Sequence, residues 1–485
     1  MKKWRTEELK KIKSSIPQFF NSPFLLAFFF GICATLTLPP FYLFPLVIPA
    51  YGGLFWLLGK VLTRRAALAI GFFWGWGFYI TGLYWFVIAL MTDPDKFAWL
   101  IPLALFALTA VIALYTALFA LLYAHVRRSG IAGAFVFAAF WTVVEFARGN
   151  LFGGFPWNLG GYVFAGSDAS IQLSSLVGVY GLTFVTVFIG ALSVADRRTA
   201  VLFWLLVCAG VVWGAGRVET APRDFVEGVK LRLVQAGIQQ PHKWDPTRQM
   251  EGLQAHVELA ASEGIEGITH IIWPETAVPY ILRDHSTLAI RLGQTLLPNQ
   301  HLITGALREA EDSVTNSITV INAEGNIVGN YDKHRLVPFG EFLPLRPLIP
   351  AWLETPVGMT DMAAGDGAKT LDWPGLPSVS PLICYEVIFP ADAVRRSTRP
   401  GWLLSVTNDA WFGNSTAPYQ HLAAARMRAV EQGLPMVRAA NTGISAVYDA
   451  YGREVARIPL NEKGFVDAGL PSPSQNRTVY TRWLP

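Results

Sequence analysis

Long uncharged stretches alternate with short charged patches through the first part of the chain, and the pattern changes character near residue 217. A helix needs about 20 apolar residues to cross roughly 30 Å of hydrocarbon, so runs of that kind read as membrane spans. Seven are present, at 24–38, 41–59, 66–91, 98–124, 131–144, 173–195 and 199–216. The first and fifth are short, and Pro39, Pro40, Pro45 and Pro49 break or kink the first pair, which leaves a re-entrant hairpin open as a reading for those two. Residues 1–20 form a charged, amphipathic leader with no small-residue cleavage site behind one short apolar core, unlike a signal peptide.

The 485 residues are 52% hydrophobic and only 15% charged, a balance that requires lipid contact for part of the chain. Between Phe20 and Gly216 there are fourteen Asp, Glu, Lys and Arg residues, most of them in the patches between runs. Placing the N-terminus in the cytoplasm puts Lys2, Lys3, Arg5, Lys10, Lys11, Lys13, Lys60, Arg64, Arg65, Arg127, Arg128, Arg197 and Arg198 on one side. Only Lys96 and Arg148 then fall on the other. That asymmetry is the positive-inside pattern, and seven crossings deliver everything after Gly216 to the outside. The predicted organisation is a basic cytoplasmic N-terminus (1–22), a membrane domain of about seven spans (23–217), an extracytoplasmic domain (218–470) and a tail (471–485). The net charge of +4 comes without an aromatic-basic stripe, so no nucleic-acid partner is expected.

Within the first half, Trp74, Trp76, Trp85 and Trp99 fit interfacial belts and helix packing rather than a cofactor box. Glu145 stands three residues before Arg148, the spacing of a helical ion pair, and the structural reading of the pair outweighs a functional one. The segment from Gly153 to Tyr162 joins glycines to aromatic residues, which suits either a lipid entrance or an interfacial loop without chemistry.

Beyond Val218, short apolar runs at 229–237, 270–273, 301–305, 317–321, 381–384 and 402–406 read as buried strands. Helical patterns at 247–263 and 420–432 intervene, and Asn322-Ala323-Glu324-Gly325-Asn326 reads as a hairpin turn. The alternation predicts an α/β sandwich. No glycine-rich phosphate loop opens a helix and the eight histidines lack metal-ligand spacing, so neither a nucleotide cofactor nor a metal is expected.

Of three cysteines, Cys33 and Cys208 lie in predicted spans and only Cys384 falls in the exported domain. It ends an apolar strand in Pro381-Leu382-Ile383-Cys384-Tyr385-Glu386, where a sharp turn exposes a nucleophile; a buried core cysteine fits those residues equally well. Two further segments supply what a nucleophilic thiol needs. Trp273-Pro274-Glu275 sets a carboxylate just after a strand, and Lys333 with Glu341 in Lys333-His334-Arg335-Leu336-Val337-Pro338-Phe339-Gly340-Glu341 offers a cation and a second acid. A thiol needs a base, and an acyl-transfer intermediate needs a fixed cation for its oxyanion.

In this order, Glu275, Lys333 and Cys384 resemble the Glu-Lys-Cys triad of the nitrilase superfamily, over about 229–467 and including Asn408-Asp409-Ala410-Trp411-Phe412 and Arg438-Ala439-Ala440-Asn441-Thr442-Gly443. Joined to a multispan N-terminal domain, the pattern is similar to the membrane-bound apolipoprotein N-acyltransferase family. The resemblance implies a multispan α-helical membrane domain plus an extracytoplasmic nitrilase-like αββα sandwich, in the bacterial inner membrane with the catalytic domain on the periplasmic side. It implies that Glu275 is the general base, Lys333 the oxyanion stabiliser and Cys384 the nucleophile. Glu341 would orient the lysine and assist proton transfer, Tyr385 and Glu386 would shape the site, and Trp244 in Lys243-Trp244-Asp245-Pro246 would sit on a mobile arm near the substrate. The implied reaction is ping-pong, from a phospholipid donor through a thioester to a diacylglyceryl apolipoprotein, with no cofactor. A membrane-tethered amidase or nitrile hydrolase would use the same triad with water, and a scaffold would keep only the fold. The family pattern also implies a final span beginning near Arg482, where the sequence stops.

Overall fold

The computed structural model describes residues 22–243, 245, 247–310, 313–344, 346, 361–395 and 397–483. They form two compact units, one of residues up to 87 with 99–166 and 179–210, the other of 88–98, 167–178 and 211 onward.

A helix occupies each of the seven apolar runs. Leu103–Val126, Gly130–Gly153, Ser174–Ala195 and Arg197–Thr220 are long and apolar enough to cross a membrane, whereas Pro23–Leu36 and Phe44–Lys60 are apolar but shorter. Two boundaries differ from the sequence expectation. The run expected at 66–91 is a helix only to Gly82, followed by a separate short helix at Phe86–Leu90. The run expected to stop at 144 continues to Asn150, carrying Glu145 and Arg148 inside the helix. They are tolerated there because they pair with each other at 3.8 Å and because Arg148 Nη1 donates to the main-chain oxygens of Phe155 (2.5 Å) and Trp157 (2.9 Å). The Gly160 N–H also reaches Glu145 at 3.4 Å, and residues 156–165 are buried. The glycine-aromatic segment is thus drawn into the helical unit rather than laid along its surface. Trp74 is fully buried against Tyr51 and Trp141 and donates to the Ala50 oxygen, while Trp99 is exposed.

In the second unit, the strands are β1 (Phe225–Gln235), β2 (His270–Ile272), β3 (Val278–Ile281), β4 (His301–Glu309), β5 (Val314–Asn322), β6 (Ile327–Asp332), β7 (Val379–Ile383), β8 (Trp402–Thr407), β9 (Met436–Ala440), β10 (Ser445–Tyr448), β11 (Glu454–Ile458) and β12 (Gly464–Pro471). They make two sheets. One runs β12-β1-β2-β4-β5-β6, with β3 alongside β4, and the other β11-β10-β9-β8-β7. The first sheet has a parallel centre (β1, β2, β4) flanked by antiparallel strands, and the second is parallel at one end (β7, β8, β9) and antiparallel from β9 through β10 to β11.

The inner faces meet in one core, Leu231, Leu233, Ile272, Ile303 and Ile318 from the first sheet against Val379, Leu404, Val406, Val437 and Val447 from the second. The outer face of the first sheet buries Ile271, Leu302 and Ile321 against Leu253 and Ala260 of the helix Gln249–Ala260 and Leu292 of the helix Thr287–Gly293. The helix Ala417–Gln432, almost wholly buried, packs on β9 of the second sheet. The αββα layering expected from the sequence is therefore present. The predicted turn at 322–326 joins β5 to β6, with Gly325 at φ +82° where a side chain would be strained.

Candidate active site

Parallel strands end on a common edge, and the residues after them converge: Glu275 follows β2, Asn408 and Asp409 follow β8, and Cys384 follows β7, while Lys333 comes directly off β6. Cys384 does not extend the strand as the sequence suggested. It turns to φ +50°, and a short 3₁₀ turn, Cys384–Ile388, begins there. A non-glycine residue in that region is strained and persists only when its surroundings impose it. Glu275 reaches its position because Gly305 of β4 lies beneath it: a Cβ there would stand 2.6 Å from the Glu275 Cα.

Lys333, 1% exposed, sits between two carboxylates, its Nζ 3.3 Å from Glu275 Oε1 and 2.8 Å from Glu341 Oε1. Asn316 of β5 ties the same two acids together, its Nδ2 donating to Glu275 Oε1 (2.8 Å) and Glu341 Oε1 (3.0 Å). The Asn408 main-chain N–H binds Glu275 Oε2 at 2.8 Å, and that of Val337 binds Glu341 Oε2 at 2.8 Å. A second buried lysine, Lys243, donates to the Glu275 main-chain oxygen at 2.9 Å.

These contacts set the charges. Burial acts to raise the Glu275 carboxyl, but Lys333, Lys243 and the hydrogen bonds outweigh it and hold the group below the usual carboxylate range. Burial acts against the charge on Lys333, yet Glu341 and Glu275 keep it above the ordinary lysine range. Lys243 moves the other way, burial lowering it to about 8 against the pull of Glu275 and Cys384. Burial, then the Glu275 charge, push the Cys384 thiol well up, and Lys333 only partly opposes them. The resting site is a neutral thiol beside an ionised carboxylate and a charged ammonium.

Glu386 is fully buried beneath the Cys384 turn. It accepts from the main-chain N–H groups of Ile383 (2.7 Å) and His334 (2.7 Å) and from the Tyr331 hydroxyl, so it clamps the cysteine turn to the segment carrying Lys333. Tyr385 is buried with its ring edge-on to Phe389 at 5.1 Å. Six of the seven residues singled out from the sequence therefore lie in one neighbourhood, and Trp244 lies outside the described residues. Sequence reading missed Asn316 and Lys243. Lys243 stands next to the chosen Trp244, whereas Asn316 is an isolated amide in an apolar strand with no local signal. Among the described residues no group of His, Cys, Asp and Glu is arranged to hold a metal.

A cysteine, an ionised acid and a buried lysine on the strand ends of a two-sheet sandwich define a carbon–nitrogen hydrolase fold, and the carbon–nitrogen hydrolase family model matches residues 230–477. The apolipoprotein N-acyltransferase N-terminal domain matches residues 30–192. Apolipoprotein N-acyltransferases of Rhodopseudomonas palustris and Bradyrhizobium diazoefficiens are 36% and 38% identical to this chain, each over 94% of it and 91% of the relative. The chain belongs to the apolipoprotein N-acyltransferase family. Solved structures similar to it include a CN-hydrolase superfamily protein of Xanthomonas campestris with an arsenic adduct in its active site (22% identity, TM-score 0.38, 51% of this chain and 91% of that one). An amidase from Nesterenkonia sp. AN1 is also similar, at 18% identity and TM-score 0.38, covering 52% and 94%.

Proposed function

We propose that this acyltransferase moves an acyl chain from a phospholipid, through a thioester on Cys384, to the α-amine of a diacylglyceryl-modified N-terminal cysteine on an apolipoprotein. The observation that carries the chemistry is the Glu275 carboxylate, held ionised against Lys333 beside a protonated thiol. In the first half-reaction, Glu275 takes the thiol proton as Sγ attacks the ester carbonyl. The Lys333 ammonium neutralises the oxyanion, and the C–O bond breaks as Glu275 returns the proton to the leaving glyceryl oxygen. In the second, the amine attacks the thioester, Glu275 accepts an N–H proton, and the C–S bond breaks with that proton passing to the sulfur. The products are a lyso-phospholipid and an N-acylated lipoprotein.

Glu341 holds Lys333 pointed at Glu275 throughout, and Tyr385 and Glu386 fix the floor of the turn. Trp244, directly after the buried Lys243, is assigned to the substrate side of the site. Residues 23–217 are taken as the membrane domain of about seven spans and 218–470 as the catalytic domain. The thirteen-to-two distribution of basic residues favours the periplasmic side of the inner membrane for the latter.

The test supplies phospholipid with a labelled acyl chain and a diacylglyceryl peptide, its α-amine either free or acetylated. Label should enter an amide on the free-amine peptide alone. Label released as free fatty acid at the same rate with both peptides would make water the acceptor and the enzyme a hydrolase.

A further inference from the structure

Behind the nucleophile lies a buried polar cluster that no step above uses. His421, on the helix Ala417–Gln432, has its Nε2 3.0 Å from the main-chain oxygen of Cys384. Its Nδ1 lies 2.9 Å from Asp409 Oδ1 and 3.1 Å from Arg438 Nη2. Arg438 Nη2 donates to Asp409 Oδ2 at 2.7 Å, and the Thr407 hydroxyl donates to Asp409 Oδ1 at 3.0 Å. All four side chains are buried. A main-chain oxygen can only accept, so the His421 Nε2 must carry the hydrogen that binds Cys384. The arrangement draws on three elements: Asp409 follows β8, Arg438 lies in β9, and His421 comes from the helix that covers the sheet. Space is reserved for it, because a Cβ on Gly443 would stand 2.3 Å from Asp409 Oδ2.

Burying a carboxylate, a guanidinium and an imidazole is unfavourable next to apolar residues of the same volume, so the cluster calls for a role beyond filling the core. What it touches is the carbonyl of a residue held at φ +50°. Because a peptide unit is planar, fixing that carbonyl fixes the whole Cys384–Tyr385 peptide, and with it the turn from which the Sγ projects.

We infer that His421 is a positioning residue for acyl transfer: its Nε2–H holds the Cys384 carbonyl and so keeps the nucleophile in its left-handed turn, while Arg438, itself fixed by Asp409, donates to Nδ1 and holds the ring. The inference rests on the reading of Cys384 as nucleophile. A displacement of about 1 Å at a reacting atom costs on the order of a hundredfold in rate, and that sets the expected size.

The test measures thioester formation from phospholipid in His421→Asn, His421→Gln and His421→Phe, with Cys384→Ala alongside. Asparagine can still bond Asp409 but is too short for the carbonyl, glutamine reaches it, and phenylalanine fills the space without a donor. Acylation should fall roughly a hundredfold in the Asn and Phe variants at an unchanged KM for phospholipid, and glutamine should restore it to within about tenfold of wild type. Should the Phe variant not fold, the Asn and Gln pair still decides. Equal impairment of Asn and Gln, or an Asn variant as fast as wild type, would overturn the inference. Transfer activity in Cys384→Ala would instead overturn the nucleophile assignment beneath it.

Discussion

Two buried clusters of charge, one in each unit, use the same residue types for different ends. In the helical unit, Arg148 meets one carboxylate, Glu145, at 3.8 Å and gives its hydrogen bonds to the main chain at Phe155 and Trp157. In the sandwich, Lys333 meets two carboxylates, Glu275 and Glu341, at 3.3 and 2.8 Å, and Asn316 braces both. The first arrangement spends its charge on holding backbone in place. The second holds side chains and their protonation states, leaving one acid ionised beside a neutral thiol. Buried charge alone therefore does not set the two clusters apart; what distinguishes the sandwich cluster is an ionised acid and a cation sharing one edge with a cysteine in a strained turn.

Substitutions separate the two most sharply at the triad. Cys384→Ala, Glu275→Gln and Lys333→Met should each lower transfer by roughly 10⁴-fold or more in a lipid-to-peptide assay, with the protein still folded by size-exclusion and thermal melting. At the other cluster the effect moves to stability. Arg148→Met leaves Glu145 buried without its partner and should cost about 3–5 kcal/mol, read as a lower melting temperature in detergent and less folded protein. An Arg148→Met variant as stable as wild type would contradict a stabilising role for the Glu145–Arg148 pair.

A smaller effect is expected at Glu341→Gln, which keeps an acceptor for the Val337 N–H but takes one charge from Lys333. Turnover should drop about ten- to a hundredfold, the size of a misplaced rather than a missing cation, and the pH profile should shift as Lys333 loses a partner. The smallest effect concerns His334. Burial opposes its charge, but Asp392 and Glu386 outweigh this and raise it to about 9, against about 6.5 in an unfolded chain. A raised basic group stabilises the fold fully below about 6.5 and loses that contribution as pH rises through about 9. Melting temperature should therefore decline across that window in wild type and do so less in His334→Gln.

The grouping of Glu275, Lys333 and Cys384 was legible because Glu275 follows a strand signal at His270-Ile271-Ile272, Cys384 ends an apolar run, and Lys333 opens a motif long enough to be distinctive. The seven apolar runs were legible because lipid-compatible stretches leave no charge to misread. Strand β9 was not, since Arg438 in its centre reads as a surface residue; it is buried only because Asp409, distant in sequence, neutralises it. Strand β12 hid for a related reason, its Asp467 being paired at 2.8 Å with Arg232 of β1. Strand β3 carries Pro279, which argues against a strand locally and is accepted at the margin of the sheet. Asn316 and His421 show the same limit within the site. Their roles come from register and from a helix laid across the sheet, which no local pattern announces.

In the proposed reaction, Cys384 carries the acyl chain between two lipid-borne substrates. Intact-protein mass spectrometry after incubation with phospholipid alone measures this most directly. The prediction is an added mass of one acyl chain on Cys384, removable by hydroxylamine, absent from Cys384→Ala, and discharged when a diacylglyceryl peptide with a free α-amine is added. An unmodified Cys384 under conditions where transfer proceeds, or an adduct that the peptide does not discharge, would contradict it.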